Sequence, residues 1–442
     1  MPSKISKSSI GVGTAAAVGL GAIIGAGIFV LSGTAIAIAG AGALLAFILV
    51  GIVAVLVALE LGELGAVMPN KTGASYSFVY GAFGSELGFM TGILLYFSYA
   101  TSISAITLGF GSYMGSLLSL NSSFAIPLAI ALIFVLAVIN ILGIKKAAKI
   151  DSVLVYIKIS ILLLFVFFAL LVVSAHGGFK PQNFTLQGGN NGIAAIFAAS
   201  VAIFFAYSGF QSISTFTSKV KGGARGAAKA ILIATLVSII LYVAVIFALI
   251  ALVPASSYKI NADPLSFALA TSHAPNWLFI LVDIGAVIAT TSASLAMLLS
   301  SSRILYQVSK DKLLPKVFRS YDKHRNVAIN GVIVSAVIAV IMLFSGNIYI
   351  IAAISNFGLL FSYLMSSFAL IHFRRNGVKA SFTSPYYPYL PVITIFLLLI
   401  FILGMPKEAL TIGVVLIILL LTVYYFLREA TKKEPVKVRL FK

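Results

Sequence analysis

The residues of this chain whose types and spacing could do chemistry are few. The run Gly19-Leu20-Gly21-Ala22-Ile23-Ile24-Gly25-Ala26-Gly27-Ile28-Phe29 lies inside a long apolar stretch, and so does Phe204-Phe205-Ala206-Tyr207-Ser208-Gly209-Phe210. Glycine weakens a helix interior. Where a helix comes apart in lipid, the freed N–H and C=O groups need other partners, so unwound backbone survives only inside protein or against a cavity. A half-helix N-terminus there offers unpaired N–H groups and partial positive charge, which suit a carboxylate. The opposing half-helix end offers carbonyls, which accept from an ammonium. A small zwitterion uses both; a small anion or an amine alone uses half. The glycines by themselves fit close helix packing equally well, since Gly21 and Gly25 have the Gly-xxx-Gly spacing.

Ionisable groups inside apolar stretches add a second kind of chemistry, because such groups are rare in membranes and usually functional. Lys158 lies seven residues into an apolar helix, roughly 10 Å from its start at about 1.5 Å per residue. Snorkelling to the interface is the alternative, and two turns is near the limit for a lysine. Asp283 shares a helical face with positions 287, 290/291 and 294. It is either a second protonatable site facing the core or a carboxyl near an outer mouth. Glu60 and Glu63 lie one turn apart and are expected to pair with loop lysines at an inner gate, and Glu86 to be interfacial. Tyr96, Tyr99, Thr101 and Ser102 line a pocket or simply pack.

The elements that must position these groups follow from composition. Of 442 residues, 61% are hydrophobic and 9% charged, against about 45–50% and about 25% in soluble domains. A water-soluble or disordered chain is excluded. About 20 apolar residues make one crossing, and the apolar runs predict twelve spans: Ile10–Ala37, Ala41–Val67, Phe83–Leu118, Ala125–Ile144, Asp151–Ser174, Gly192–Thr217, Ala230–Val253, Pro275–Val308, Ala328–Phe344, Ile348–His372, Tyr389–Leu403 and Glu408–Leu427. The first run is too long and Gly-interrupted for a signal peptide. With an even number of spans and the N-terminus inside, the basic residues fall inside except Lys180, Lys259, Lys407 and the mid-span Lys158. That asymmetry supports the topology, with both termini cytoplasmic. It also explains the net charge of +19 without nucleic acid. The expected organisation is one transmembrane domain over 1–427 and a basic cytoplasmic tail over 428–442 that can touch anionic lipid. No cysteine is present, which removes disulfides, thiolate catalysis and Cys-ligated metals; no metal or cofactor is expected.

The two interrupted segments open corresponding sets of five spans, about 10–174 and 192–372, with two extra helices at about 389–427. Paired interruptions in two halves point to a transporter's binding site. An odd-numbered set reverses its side of the membrane, so an inverted repeat is expected.

At this point the chain resembles a known family. Gly21-Ala22-Ile23-Ile24-Gly25-Ala26-Gly27-Ile28-Phe29 is similar to the first-helix signature of the amino acid–polyamine–organocation superfamily. Ala58-Leu59-Glu60-Leu61-Gly62-Glu63-Leu64-Gly65-Ala66, then Pro69 and Gly73-Ala74-Ser75-Tyr76-Ser77-Phe78, resembles its second-helix end and loop, and Phe204–Phe210 its sixth-helix break. The resemblance implies an all-α, LeuT-like five-plus-five inverted repeat, alternating access, and an amino acid or amine as substrate. It places the substrate carboxylate at the N–H groups of Gly25, Ala26 and Gly27, the amine at carbonyls of Ile23, Phe205 and Ser208, and Phe205 as an aromatic gate. One segment departs from the family. Where the family carries an acidic pair and then prolines, this chain has the wholly basic Ser218-Lys219-Val220-Lys221-Gly222-Gly223-Ala224-Arg225-Gly226-Ala227-Ala228-Lys229, which bears on cytoplasmic gating contacts.

Transporters of this fold can hold sodium between unwound backbone of the first helix and hydroxyls of the eighth. Here a protonated Lys158 could bridge carbonyls near Gly21 and Ala22 to Thr290, Thr291, Ser292 or Ser294, and a neutral one would release them. The resemblance agrees, since proton-coupled members carry a lysine at this place. An intramembrane enzyme is disfavoured: the four histidines fall near membrane edges and no acidic pair lies mid-span. A channel is disfavoured because the polar features cluster at two breaks in one chain. The expectation is a proton-coupled amino acid importer of a prokaryotic plasma membrane, preferring neutral amino acids, with a proton-independent exchanger as the alternative.

Overall fold

A computed structural model describes residues 10–68, 75–143, 147–175, 178–186, 192–209, 213, 220–322, 324–325 and 327–431. The loop motif around Pro69 and Gly73, Phe210, residues 218–219 of the basic loop and the tail beyond 431 lie outside them. The described residues are helical throughout, with isolated bridges in place of a sheet.

Span one is two helices, Val12–Ile23 and Ala26–Ala39, bent by 50°. Eight further helices are long and apolar enough to cross a membrane: Ala43–Val67, Ser85–Leu117, Ser122–Leu142, Leu154–Ala175, Arg225–Leu252, Asn276–Lys310, Ile348–Arg375 and Lys407–Phe426. The bent pair makes nine. Spans six, nine and eleven are the shorter apolar helices Gly192–Tyr207, Ile329–Met342 and Tyr389–Leu403. The length criterion therefore supports nine of the twelve expected crossings. The shortfall in span six has a cause, because its α-helix stops at Ile203.

Two short helices were not expected. Ser75–Phe83 is too short and too rich in Ser and Tyr to read as a span; Gly84 at φ +86° separates it from span three, which begins at Ser85 rather than Phe83. Pro264–Thr271 opens with proline at its first turn, where the missing N–H costs nothing.

The packing carries an internal symmetry. Span three packs on span eight, and span two on span seven. Span one also packs on span six, and five further contacts recur five spans along: one on seven with two on six, three on four with eight on nine, five on eight with three on ten, five on seven with two on ten, and one on five with six on ten. This is the arrangement of a five-plus-five repeat. Spans three and ten are its centre, with 83% and 78% of their apolar windows buried, whereas spans four, five and twelve reach only 28%, 28% and 22%. Apolar side chains at the periphery, such as Phe134 and Phe167, face outward, as lipid-facing positions do.

The basic loop has a structural role at one end. Ile10 and Val220 form a parallel bridge, and the Lys221 N–H donates to the Ile10 carbonyl at 2.8 Å. Gly222 and Gly223, at φ +84° and +58°, then turn the chain into span seven.

Candidate functional site

The first break is visible in the backbone ladder. The Ile24 N–H still donates to Leu20 O at 2.7 Å, but the Gly25 N–H turns back to Ile23 O at 2.7 Å. A continuous helix would send the N–H groups of Gly25 and Ala26 to Gly21 and Ala22. Those two carbonyls therefore lose their helical donors. The helix restarts at Ala26 with no side-chain cap, and no backbone carbonyl of the described residues accepts from Ala26 or Gly27. Their N–H groups have the character of an open helix N-terminus.

The second break follows Ile203. A tight 3-10 turn covers Phe204–Tyr207, Ser208 is extended, and Gly209 sits at φ +120°. The N–H and hydroxyl of Ser208 both donate to Phe205 O, at 2.9 and 2.7 Å.

The breaks are pressed together, and this is what their glycines are for. A Cβ on Gly27 would stand 2.3 Å from Ala206 Cα, and one on Gly209 would stand 2.3 Å from Ala22 O. Gly21 makes room for Val155 of span five, whose Cγ2 would lie 2.0 Å from an added Cβ. Gly25 is different: its nearest neighbour would be Ala293 of span eight at 3.4 Å, an ordinary contact.

Tyr242 of span seven ties the breaks to each other. Its fully buried hydroxyl lies 2.8 Å from Ile23 O and 3.0 Å from Ala206 O, so one proton serves two acceptors. Its ring packs edge-on against Phe47 and Tyr207, and Tyr207 donates to Phe47 O at 2.9 Å. Sequence reasoning missed Tyr242, for a tyrosine in an apolar run carries no signal of what its hydroxyl meets. It alters the expected amine contacts. Ile23 O already receives Gly25 N–H and Tyr242, and Phe205 O receives Ser208 twice. Of the three expected acceptors, two are therefore engaged within the protein. Phe205 itself is buried in the turn.

Lys158 is buried, at 1% exposure, so it does not snorkel. It comes one turn after Val155, the residue wedged at Gly21, and its Nζ donates to Ser292 Oγ at 3.2 Å. Among the expected eighth-span hydroxyls, Ser292 is thus the partner. Thr291 and Thr290 instead donate to their own helix, to Val287 O and Ala286 O, each at 2.7 Å. The Ser294 hydroxyl is buried with no hydrogen-bond partner among the described residues.

Asp283 is fully buried and accepts from Ser266 of the short helix Pro264–Thr271; its other oxygen has no hydrogen-bond partner among the described residues. That helix closes over span one, since a Cβ on Gly33 would meet Pro264 at 2.5 Å. Asp263, outside the spans, is held above the usual carboxylate range by burial.

Glu60 and Glu63 do not pair with loop lysines. Glu60 accepts from Ser367 of span ten, and Glu63 takes a two-point ion pair from Arg374, with Nη2 at 2.9 Å, plus the Ser384 N–H and hydroxyl at 2.6 Å each. Arg374 also stacks over Tyr387 at 4.9 Å. The partner is an arginine because its planar fork satisfies a buried carboxylate at two points. Tyr96 and Ser102 serve packing between spans: Ser102 bonds Ser355 at 2.6 Å, and Ser335 reaches Tyr96 at 3.4 Å. Glu86, in the first turn of span three, accepts from exposed Tyr425 at 3.2 Å. Among the described residues, no group of three or more His, Cys, Asp or Glu could hold a metal ion.

Comparison with known proteins gives concordant results. A family model described as amino acid permease matches residues 10–427. The methylthioribose transporter of Bacillus subtilis is 29% identical over 86% of this chain and 84% of its own length. The branched-chain amino acid permease BcaP of the same organism is 28% identical over 96% and 93%. The vacuolar cationic amino acid transporter 2 of Arabidopsis thaliana is 28% identical over 83% of this chain and 58% of its own length. Among solved structures, the nucleobase-cation-symport-1 family transporter MHP1 superposes with a TM-score of 0.61 over 97% of this chain and 95% of that one. At 15% identity, that likeness concerns the fold.

Proposed function

The chain belongs to the amino acid permease family, and from that premise we propose that it imports amino acids across a plasma membrane by proton symport and alternating access. The observation that carries the proton is Lys158. A buried ammonium on Ser292, one turn from the residue wedged at Gly21, joins spans one, five and eight at the first break. Protonated, it holds the three together; neutral, it donates less and lets the first half of span one move. The substrate carboxylate meets the open N–H groups at Ala26 and Gly27, and that of Gly25 by displacing its bond to Ile23 O. Its ammonium meets the carbonyl face of the breaks, at Ser208 and, by displacing the Tyr242 proton, at Ile23. Carbonyls of Gly21 and Ala22 belong to the Lys158 side, with Ser294 as a further hydroxyl beside Ser292. Asp283 is a candidate second protonation site.

A positive group beside the breaks, with Glu63 already paired, favours neutral over cationic amino acids. The basic loops stand in the cytoplasm, with both termini there, and the tail can rest on anionic lipid. The test is uptake into proteoliposomes with and without an inward proton gradient, for native protein and Lys158→Ala. Gradient-driven accumulation that the variant loses is the expected result; equal uptake without a gradient in the native protein makes it an exchanger. A thermal-shift panel of the twenty amino acids, with methylthioribose added because the transporter named for it is equally similar, selects the substrate.

A further inference from the structure

Span ten answers the second break as span five answers the first. The α-helix of span six ends at Ile203, so its last carbonyls lose their helical donors in apolar surroundings, where each needs another. Asn356, fully buried on span ten, supplies one: its Nδ2 donates to Val201 O at 2.6 Å and reaches Ala202 O at 3.3 Å. Carbonyls cannot donate, so the amide is oriented by them and its Oδ1 must point away. That oxygen has no hydrogen-bond partner among the described residues. The neighbouring Ser355 pins the same turn to span three, donating to Ser98 O at 3.0 Å beside Ser102 at 2.6 Å.

The internal symmetry pairs span one with six, five with ten, and eight with three. Lys158 and Ser292 join five and eight, with Val155 one turn earlier packed on Gly21 of span one; Asn356 and Ser355 join six, ten and three. The two polar joints are counterparts, with one difference of chemistry. An ammonium can give up its proton and an amide cannot. Resting on the proton-symport reading above, we propose that Asn356 is a positioning residue for substrate binding: it holds the end of the first half of span six on span ten, and it is the proton-insensitive counterpart of Lys158. The second break thus stays anchored while the first is switched. Phe205 and Ser208, which follow the anchored carbonyls within seven residues, keep their place through the cycle.

The test uses the full chain in proteoliposomes with Asn356→Asp and Asn356→Leu. Aspartate has the shape of asparagine but donates to Val201 O only when protonated. The ionisable side chains on the neighbouring stretches of spans three, six and ten are the tyrosines Tyr96, Tyr99, Tyr207 and Tyr363. Each variant is compared with native protein at the same pH by substrate counterflow and by hydrogen exchange of the Val201–Tyr207 amides. For Asn356→Asp, the expected result is a near-native KM and exchange at acidic pH, with KM at least tenfold higher and exchange at least tenfold faster at alkaline pH, reversibly in one sample. For Asn356→Leu, both defects appear at every pH while maximal rate changes less than KM. An Asn356→Asp protein that matches native at all pH values, or is equally defective at all of them, overturns the proposal. If native protein carries no amino acid, the transport reading fails, and the exchange ratio still decides the role of Asn356.

Discussion

Replacing Gly27 with alanine should cripple substrate binding, whereas the same change at Gly25 should not. The added Cβ at Gly27 would stand 2.3 Å from Ala206 Cα and 2.5 Å from its Cβ. Ordinary contact begins at 3.4 Å, so the two breaks must separate by about 1.1 Å, and backbone rather than a flexible side chain has to move. Overpacking of this kind costs about 1–3 kcal/mol. If that strain is borne by the substrate-bound state, affinity falls roughly 5- to 150-fold, at about 1.4 kcal/mol per factor of ten. At Gly25 the nearest atom to the new Cβ is Ala293 Cβ at 3.4 Å, so KM should stay within about threefold by the same scale. The assay is the KM for uptake of the amino acid chosen by thermal shift, with the melting temperature of each purified variant as the folding control. A Gly27→Ala protein with native KM, beside a Gly25→Ala protein raised tenfold, would show that the breaks do not abut as described.

Tyr242→Phe removes the proton shared by Ile23 and Ala206 carbonyls and leaves them buried. It should destabilise the protein by about 1–3 kcal/mol, read as a lower melting temperature in detergent, while easing ammonium access to Ile23. Arg374→Ala strands Glu63, which is 2% exposed in its side chain. A loss of about 3–5 kcal/mol is expected, and adding Glu63→Gln should recover part of it; no recovery would mean the pair is not a unit. Asp283→Asn keeps an acceptor for Ser266 but cannot take up a proton. If Asp283 is a second protonation site, the pH dependence of uptake flattens; an unchanged profile assigns the proton to Lys158 alone.

The broken spans were legible because glycine steps in apolar runs contradict the run around them, and the break at Gly25 falls inside the predicted step. The burial of Lys158 was legible from its distance to the helix end. Which hydroxyl it meets was not. Ser292, Thr291 and Ser294 differ by about 100° steps around one helix, and Thr291 bonding back to Val287 is a local choice that spacing does not reveal. Glu63 and Arg374 lie 311 residues apart, so a loop lysine nearby in sequence was the nearer guess. Asn356 gave no signal at all, for an amide in an apolar span reads as an isolated polar residue until the end of another helix is seen against it. The helix Pro264–Thr271 was too short to register as periodic.

The short backbone bridge between Ile10 and Val220 has a bearing on movement. The first half-helix and the chain leaving span six share a tether at the level of main-chain atoms. A swing of one drags the other unless that tether parts, and no side-chain substitution in the basic loop can cut it. Proline at Lys221, which removes the N–H donor, is the change that would uncouple them.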